Sequence, residues 1–311
     1  MEDPLKTSVV IATRNSIDTI DKCLSSLIPY QQRGHIGQII VVAGHSTDGT
    51  IEAVKKYPVQ LIFDENKGFN AACNLGWHNA REEIVLFIDA DAYLGPGFFP
   101  SIHEFFSDET IGIVGAQEKA VITNSITKAI GQWWLYHADN LKKIMSSSSL
   151  SWFQRLYRRA AFGGSQITTS GPCYAVRLSC LEAVAGFDEK HILGGEDIQL
   201  SQRIIDNGWR VTWWIDAPLY HHPRRDLKSL ISQRFDWGKG DAVIHKQELK
   251  LKPHQYALHL LAHLSSPLLG LAIAVRFKNP LHLLLIPMAH YTWIIGYLPV
   301  IIGRQSGNNV E

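Results

Sequence analysis

Short apolar runs recur through the first third of the chain, and the stretches between them carry apolar residues at helical spacing. Ser8 to Ala12 (SVVIA), Gln38 to Val42 (QIIVV), Val59 to Phe63 and Ile84 to Ile88 (IVLFI) are such runs. Ser8 to Ala12 is long enough for a buried strand, and the other three read as strands as well. Ile17, Ile20, Leu24 and Leu27 follow the first run at helical spacing. Ser46-Thr47-Asp48 reads as the opening of a short helix toward Tyr57, and Gly68 to Ala80 as a helix of small residues. Ile111 to Gly115 makes a fifth strand, and residues 170 to 216 return to mixed strand and helix. Strand, helix and strand in repetition predict a mostly parallel α/β sheet covered on both faces. With 311 residues, 46% of them apolar, the chain can bury such a core.

The 30 basic and 29 acidic side chains leave a net charge of +1. No global field draws the chain to nucleic acid, which is excluded as a partner class. Cys23, Cys73, Cys173 and Cys180 form no close metal-type pair and read as reduced thiols of a cytosol-facing protein. The start, MEDPLKTSVVIATRN, is charged and then strand-like, which is not the pattern of a signal peptide.

Four segments are expected. Residues 1–122 and 166–250 are two halves of one α/β domain. Between them, 123–165 mixes Trp133, Trp134, Tyr136, Trp152 and Tyr157 with Lys142, Lys143, Arg155, Arg158 and Arg159. That mixture suits an amphipathic helix in a lipid headgroup layer, or a helical excursion packed on the main domain. In 251–311, residues 256–275 and 280–303 contain no Asp, Glu, Lys or Arg, so each is long enough to cross a bilayer as a helix. His259, His263, His282 and His290, and the prolines at 267, 287 and 299, weaken that reading. Arg276 and Lys278 between the two stretches also disfavour a spanning hairpin. The expectation is an apolar helical hairpin that contacts a membrane or joins two copies of the chain.

Asp89-Ala90-Asp91 directly follows IVLFI. Ligands of open α/β sheets collect beyond the carboxyl ends of the strands. Two carboxylates at i and i+2 there face one way and make a hard oxygen site for Mg2+ or Mn2+. Such a cation can bridge the phosphates of a nucleoside diphosphate. Three companions stand around this pair: VVIATRN from Val9 to Asn15, QIIVVAGHSTDGT from Gln38 to Thr50, and KGFNAACNLG from Lys67 to Gly76.

In this order and spacing the sequence resembles inverting glycosyltransferase family 2, whose nucleotide-binding domain has the GT-A fold. The resemblance covers residues 8 to about 240. It implies a mixed, mostly parallel sheet flanked by helices, with the C-terminal hairpin outside the family pattern. It implies Thr13 and Asn15 at the nucleotide pocket, Asp48, Gly68 and Asn74 on the donor, and Asp89 and Asp91 at ribose and metal. The family's acidic residue after the second strand is replaced by Ala43, with His45 and Asp64 as candidates to compensate. Gly186-Phe187-Asp188-Glu189 and Gly194-Gly195-Glu196-Asp197 resemble the acceptor segment, with Asp197 as the base and Glu196 beside it. In Tyr220-His221-His222-Pro223 either histidine can add a metal ligand. Gln233 to Gly240 fits an R-x-x-x-G-x-G pattern, with Arg234 and Lys239 set to hold a diphosphate or an acceptor phosphate.

The expected activity is metal-dependent, inverting transfer from a nucleotide-diphosphate sugar, a UDP-sugar being favoured, to a lipid-linked or surface-glycan acceptor at the cytoplasmic face of a membrane. A sugar nucleotidyltransferase would carry a glycine-rich, lysine-bearing loop where this chain reads TRNSIDT. A non-catalytic scaffold would suit Ala43 but not the retained acids at 89, 91, 196 and 197.

Overall fold

A computed structural model describes residues 5–146, 171–190, 194–247 and 250–303. Within these the chain forms two compact units. The first holds the described residues up to 119, 171–190 and 196–222; the second holds 120–146, 194–195 and those from 223 onward.

In chain order the first unit contains β1 (Thr7–Thr13), α1 (Ile20–Gln32), β2 (Ile36–Ala43), α2 (Thr50–Val54) and β3 (Gln60–Phe63). Then come α3 (Phe69–His78), β4 (Ile84–Ile88), β5 (Ala92–Leu94), α4 (Phe98–Phe105) and β6 (Ile111–Ala120). Helix α5 (Ser125–Ser146) belongs to the second unit. The first resumes with β7 (Cys173–Arg177), α6 (Leu178–Val184), α7 (Glu196–Asp206) and β8 (Arg210–His221). One eight-stranded sheet has the order β3-β2-β1-β4-β7-β6-β8-β5. β3, β2, β1 and β4 are parallel, while β7 runs against β4 and β6, and β5 against β8.

The expected mostly parallel sheet is present, and alternation along its strands explains its two cores. Val9, Ile11, Ile39, Val41, Leu86 and Ile88 pack on one face with Ile20, Cys23, Leu24 and Leu27 of α1. Val10, Ile40, Val42, Val85 and Phe87 pack on the other with Ala72, Cys73 and Trp77 of α3 and Leu200 and Ile204 of α7. A side chain of this size contributes about 1.5–3 kcal/mol when fully buried, so sealing both faces is the main reason the runs pair as central strands. None of the four cysteines is in a disulfide, and all are buried.

The second unit is helical: α5, then α8 (Leu227–Gln247), α9 (Pro253–Leu264), α10 (Ser266–Phe277) and α11 (His282–Ile301). The start of α5 is capped locally, with Thr127 N–H donating to Asn124 Oδ1 at 2.8 Å. The α5 residues Ala129, Ile130 and Trp133 are buried with Leu230, Ile273, Leu285, Ile286 and Ala289. This is why the chain groups into two units rather than four segments: α5 and the C-terminal helices share a core. The described part of the 123–165 insert is therefore a packed helix. Trp152, Tyr157, Arg155, Arg158 and Arg159 lie outside the described residues.

The stretch 256–275 is not one continuous helix. It breaks after Leu264, and α9 and α10 are bent by 44°. Pro267 sits in the first turn of α10, where its missing N–H costs nothing; inside a single helix its ring would clash with the preceding turn. Helices α8 and α11 cross very closely. A Cβ on Gly238 would lie 2.1 Å from the Trp293 carbonyl oxygen, and one on Gly296 2.1 Å from that of Phe235.

Candidate active site

Strand β4 ends at Ile88, and the next three residues turn the chain into β5. Asp89 N–H donates to Pro172 O at 2.8 Å, and Ala92 N–H to Asp89 O at 3.0 Å. The short strand β5 then pairs Ala92 with His221 of β8, and His222 N–H donates to Asp91 O at 3.0 Å. This pairing brings a histidine from far along the sequence to the acidic turn. His221 Nε2 lies 3.3 Å from Asp91 Oδ1, and one ligand atom from each of Asp89, Asp91 and His221 falls within 4.8 Å of the others. Two carboxylates and an imidazole on a half-buried shelf form a donor set that fits Mn2+ or Mg2+.

The sequence leaves His221 and His222 undecided; the structure brings His221 into this group. His222 falls outside it, its ring 6.1 Å from that of Tyr93, because successive residues on extended backbone point to opposite sides. Burial acts to lower the His221 pKa. The hydrogen bond and charge of Asp91, with Glu118 and Asp89 behind it, outweigh burial and raise it above the usual histidine value.

Asp197 stands in the first turn of α7, buried. Its carboxylate accepts from Gly171 N–H at 2.8 Å and Ile198 N–H at 2.7 Å. Burial, and then the charge of Glu196, hold its carboxyl well above the usual range, against the lowering effect of those two N–H groups. Residues 171 and 172 thus tie the two acidic sites together, Gly171 binding Asp197 and Pro172 binding Asp89. Gly171 has φ +121°, a conformation closed to most side chains.

Sequence reasoning missed Glu118. A Cβ on Gly171 would lie 3.4 Å from Glu118 Oε2. Burial raises the Glu118 pKa, and His221 opposes the rise. The available signal was an acid placed directly after the apolar run of β6, IGIVGAQ.

The loops beyond β1 and β2 are laced together. Asn15, at φ +51°, accepts from Thr47 N–H at 2.9 Å and donates its own N–H to Ser46 Oγ at 3.0 Å. Thr13 O accepts from Gly44 N–H at 2.9 Å. Both carboxylate oxygens of Asp48 serve this loop: Oδ1 accepts from the Thr50 hydroxyl and N–H, and Oδ2 from Ile17 N–H. The Thr50 hydroxyl bond is the main reason the Asp48 pKa is lowered. Asp48 is thus engaged in holding this loop together. Asn74 is committed too. Its amide nitrogen donates to Phe187 O and Glu189 Oε1, each at 2.9 Å, while its oxygen accepts from Trp77 Nε1 and Phe187 N–H. It therefore clamps α3 to the Gly186–Glu189 turn and has little capacity left for a ligand. Gly68, at φ +103°, is the residue from which α3 starts.

At the end of β2, Ala43 O accepts from Asp64 N–H at 3.1 Å. A Cβ on Gly44 would lie 3.5 Å from Asp64 Oδ1 and 3.4 Å from Asn66 Oδ1. A carboxylate from the end of β3 thus stands beside the small pair Ala43-Gly44.

Arg234 and Lys239 belong to the second unit. Arg234 lies between the rings of Trp133 and Trp237, 4.5 Å from each centroid, and burial lowers its pKa to about 10. Lys239 lies 3.6 Å from Asp236 and 4.3 Å above the Phe235 ring.

The family model described as "Glycosyl transferase family 2" matches residues 8–164. Glycosyltransferase AglE of Haloferax volcanii is 24% identical over 243 residues, covering 76% of this chain and 73% of that protein. Probable glycosyltransferase YdaM of Bacillus subtilis is 20% identical over 254 residues, covering 78% of this chain but only 57% of its relative. The structure of mannosyltransferase PcManGT from Pyrobaculum calidifontis, in complex with GDP-Man and Mn2+, matches with TM-score 0.65 at 18% identity. That match covers 98% of this chain and 89% of the other, and it speaks for the fold.

Proposed function

Because the chain belongs to glycosyl transferase family 2 and is thereby a nucleotide-sugar glycosyltransferase, we propose that it transfers sugar with inversion, at a site formed by Asp89, Asp91 and His221 with Asp197 as base. The observation that carries this reading is the joining of the Asp89–Asp91–His221 group to Asp197 through Gly171 and Pro172. Asp89, Asp91 and His221 would hold Mn2+ or Mg2+. Bound there, the cation would offset the charge that builds on the departing diphosphate.

The acceptor hydroxyl gives its proton to Asp197 as its oxygen bonds to the anomeric carbon, and the bond from that carbon to the diphosphate breaks. The raised pKa of Asp197 makes it a stronger base than an exposed carboxylate. Glu196 contributes by keeping that pKa high. Gly171 N–H holds the carboxylate in place. At the nucleoside end, Thr13 and Asn15 edge the pocket, and Asp64 supplies the acid that Ala43 lacks. A UDP-sugar is the first donor to test and a GDP-sugar the second, since the mannosyltransferase of similar fold holds GDP-Man and Mn2+.

We place the acceptor at the cytoplasmic face of a membrane, contacted by the C-terminal helices. Leu268, Val275, Leu284 and Ile295 expose 72%, 71%, 60% and 63% of their surface. Such density of exposed apolar side chains is typical of lipid or partner contact. Helix α11 is long and apolar enough to cross a bilayer, as is the bent pair α9–α10 taken together.

The experiment is proton NMR of slow donor hydrolysis in Mg2+, which leaves the anomeric signals sharp. An α-linked nucleotide sugar should release the β-sugar first, and Asp197→Asn should suppress that release. First release of the α-sugar would overturn inversion, and an undiminished rate in Asp197→Asn would remove Asp197 from the role of base.

A further inference from the structure

Strands β4, β6 and β8 of the first unit end at one edge of the sheet. β7 runs antiparallel to both β4 and β6, so those two run the same way. β8 ends where His221 pairs with Ala92, next to Asp91. Asp89, Glu118 and His221 therefore stand near strand ends on one edge, with β6 lying between β7 and β8. Alternation fixes the face. Val114 and Ala116 of β6, Cys173 and Ala175 of β7, and Ala217 and Leu219 of β8 share one core. Glu118 and His221 come two residues after the last of these on their own strands, so they point to that same face. Gly171, two residues before Cys173, presents bare backbone there. The space that a Gly171 side chain would fill is taken by the Glu118 carboxylate, whose Oε2 lies 3.4 Å from a Cβ built at Gly171. Asp197 meets Gly171 through its N–H instead, from α7, which packs on the opposite core.

Nε2 of His221 is turned to Asp91, 3.3 Å from its Oδ1. A cation held by both groups displaces any proton between them. The ring then keeps its one N–H at Nδ1, which is buried. A buried N–H needs an acceptor, and ligating imidazoles give theirs to a carboxylate, a carbonyl or a water. Of the acids whose charge acts on His221, Asp91 and Asp89 belong to the metal group, and Glu118 stands outside it. Oε2 of Glu118 accepts from Gln117 Nε2 at 3.1 Å, which steadies the side chain and leaves acceptor capacity over. We propose that Glu118 is a positioning residue for His221: its carboxylate accepts the Nδ1–H hydrogen bond and so holds Nε2 toward the cation. The proposal rests on the reading of Asp89, Asp91 and His221 as a metal group.

The test titrates Mn2+ alone into the full chain at one mildly alkaline pH and reads free Mn2+ by its electron paramagnetic resonance signal. Glu118→Ala should weaken binding about tenfold or more. Glu118→Gln keeps the shape and an acceptor oxygen, and should weaken it only about threefold. Made in His221→Ala, each change should alter the affinity less than about twofold, because the ring through which Glu118 acts is gone. Weakening that is equal with and without His221 overturns the proposal, since the acid would then act on the cation by charge alone or on the fold at large. Unchanged affinity in Glu118→Ala overturns it as well. Should Glu118→Ala lose the wild-type circular dichroism, the comparison is made with Glu118→Gln. There, no weakening, or a threefold loss that persists in His221→Ala, overturns the proposal. A wild type that binds no Mn2+ overturns the metal group itself, whereas Mn2+ bound equally by the wild type and the Glu118 variants overturns the positioning role alone.

Discussion

Asp197 combines two demands that oppose each other. A general base must be ionised to work, yet burial and Glu196 both favour its neutral form. Its folded pKa lies above the unfolded value, so its contribution to stability is full below the unfolded pKa and is lost as pH rises through the folded one. Activity should move the other way and climb with pH through that same window. Asp197→Asn should lower kcat by about 10²–10⁴-fold, abolish this acid limb, and unfold at no lower a temperature near neutral pH. A pH–rate profile and a thermal melt check both parts. His221 predicts a second pH effect. Its raised pKa means that a proton competes with the metal, so Mn2+ affinity should fall about tenfold per pH unit below that pKa and level off above it. Titrations across pH should show this slope in the wild type and lose it in His221→Ala. At this scale the sequence was legible wherever the chemistry lies within a few neighbouring residues, as in Asp89-Ala90-Asp91. It gave no sign of Asn74's clamp, whose bonds to Phe187 and Glu189 come from more than a hundred residues away. It passed over Glu118 because only the fold turns that strand end toward His221.

Helix α8 shows what a glycine pattern means at the scale of an element. Gly238 and Gly240 belong to a pattern read from the sequence as phosphate-binding, but both sit at backbone contacts. A Cβ on Gly238 would meet Trp293 O at 2.1 Å, and one on Gly240 would meet Gly194 O at 2.0 Å. In an exposed helix Gly→Ala would gain about 1 kcal/mol. Here Gly238→Ala should instead destabilise by about 1–3 kcal/mol through overpacking at the crossing with α11. Urea unfolding decides the sign, and a stabilised variant would show that the helices do not cross this closely. The strands were easier to read than the helix pairs. A strand announces its buried faces by continuous apolar sequence, whereas α8 and α11 meet through glycines that have no side chain to reveal the contact.

On the scale of the whole molecule, the sheet and the helical unit have different surfaces. The sheet is sealed by helices on both faces, while α10 and α11 leave large apolar side chains in solvent. Replacing Leu268, Val275, Leu284 and Ile295 with Gln should shift the full chain from the membrane pellet to the soluble fraction with its helical circular dichroism kept. A wild type that is already soluble without detergent would sink the membrane proposal. The α/β order was readable along the chain because each parallel crossover is local. The grouping of α5 with the C-terminal helices was not, since it joins segments about a hundred residues apart through a shared apolar core. The central claim concerns the first unit alone, and calorimetry of UDP and GDP binding tests it most directly, with and without Mn2+, in the wild type and in Asp91→Ala. One of the two nucleotides should bind the wild type only when Mn2+ is present, and Asp91→Ala should weaken that binding about tenfold or more. Equal binding without the metal, or an unaffected Asp91→Ala, would contradict a donor site built on Asp89, Asp91 and His221.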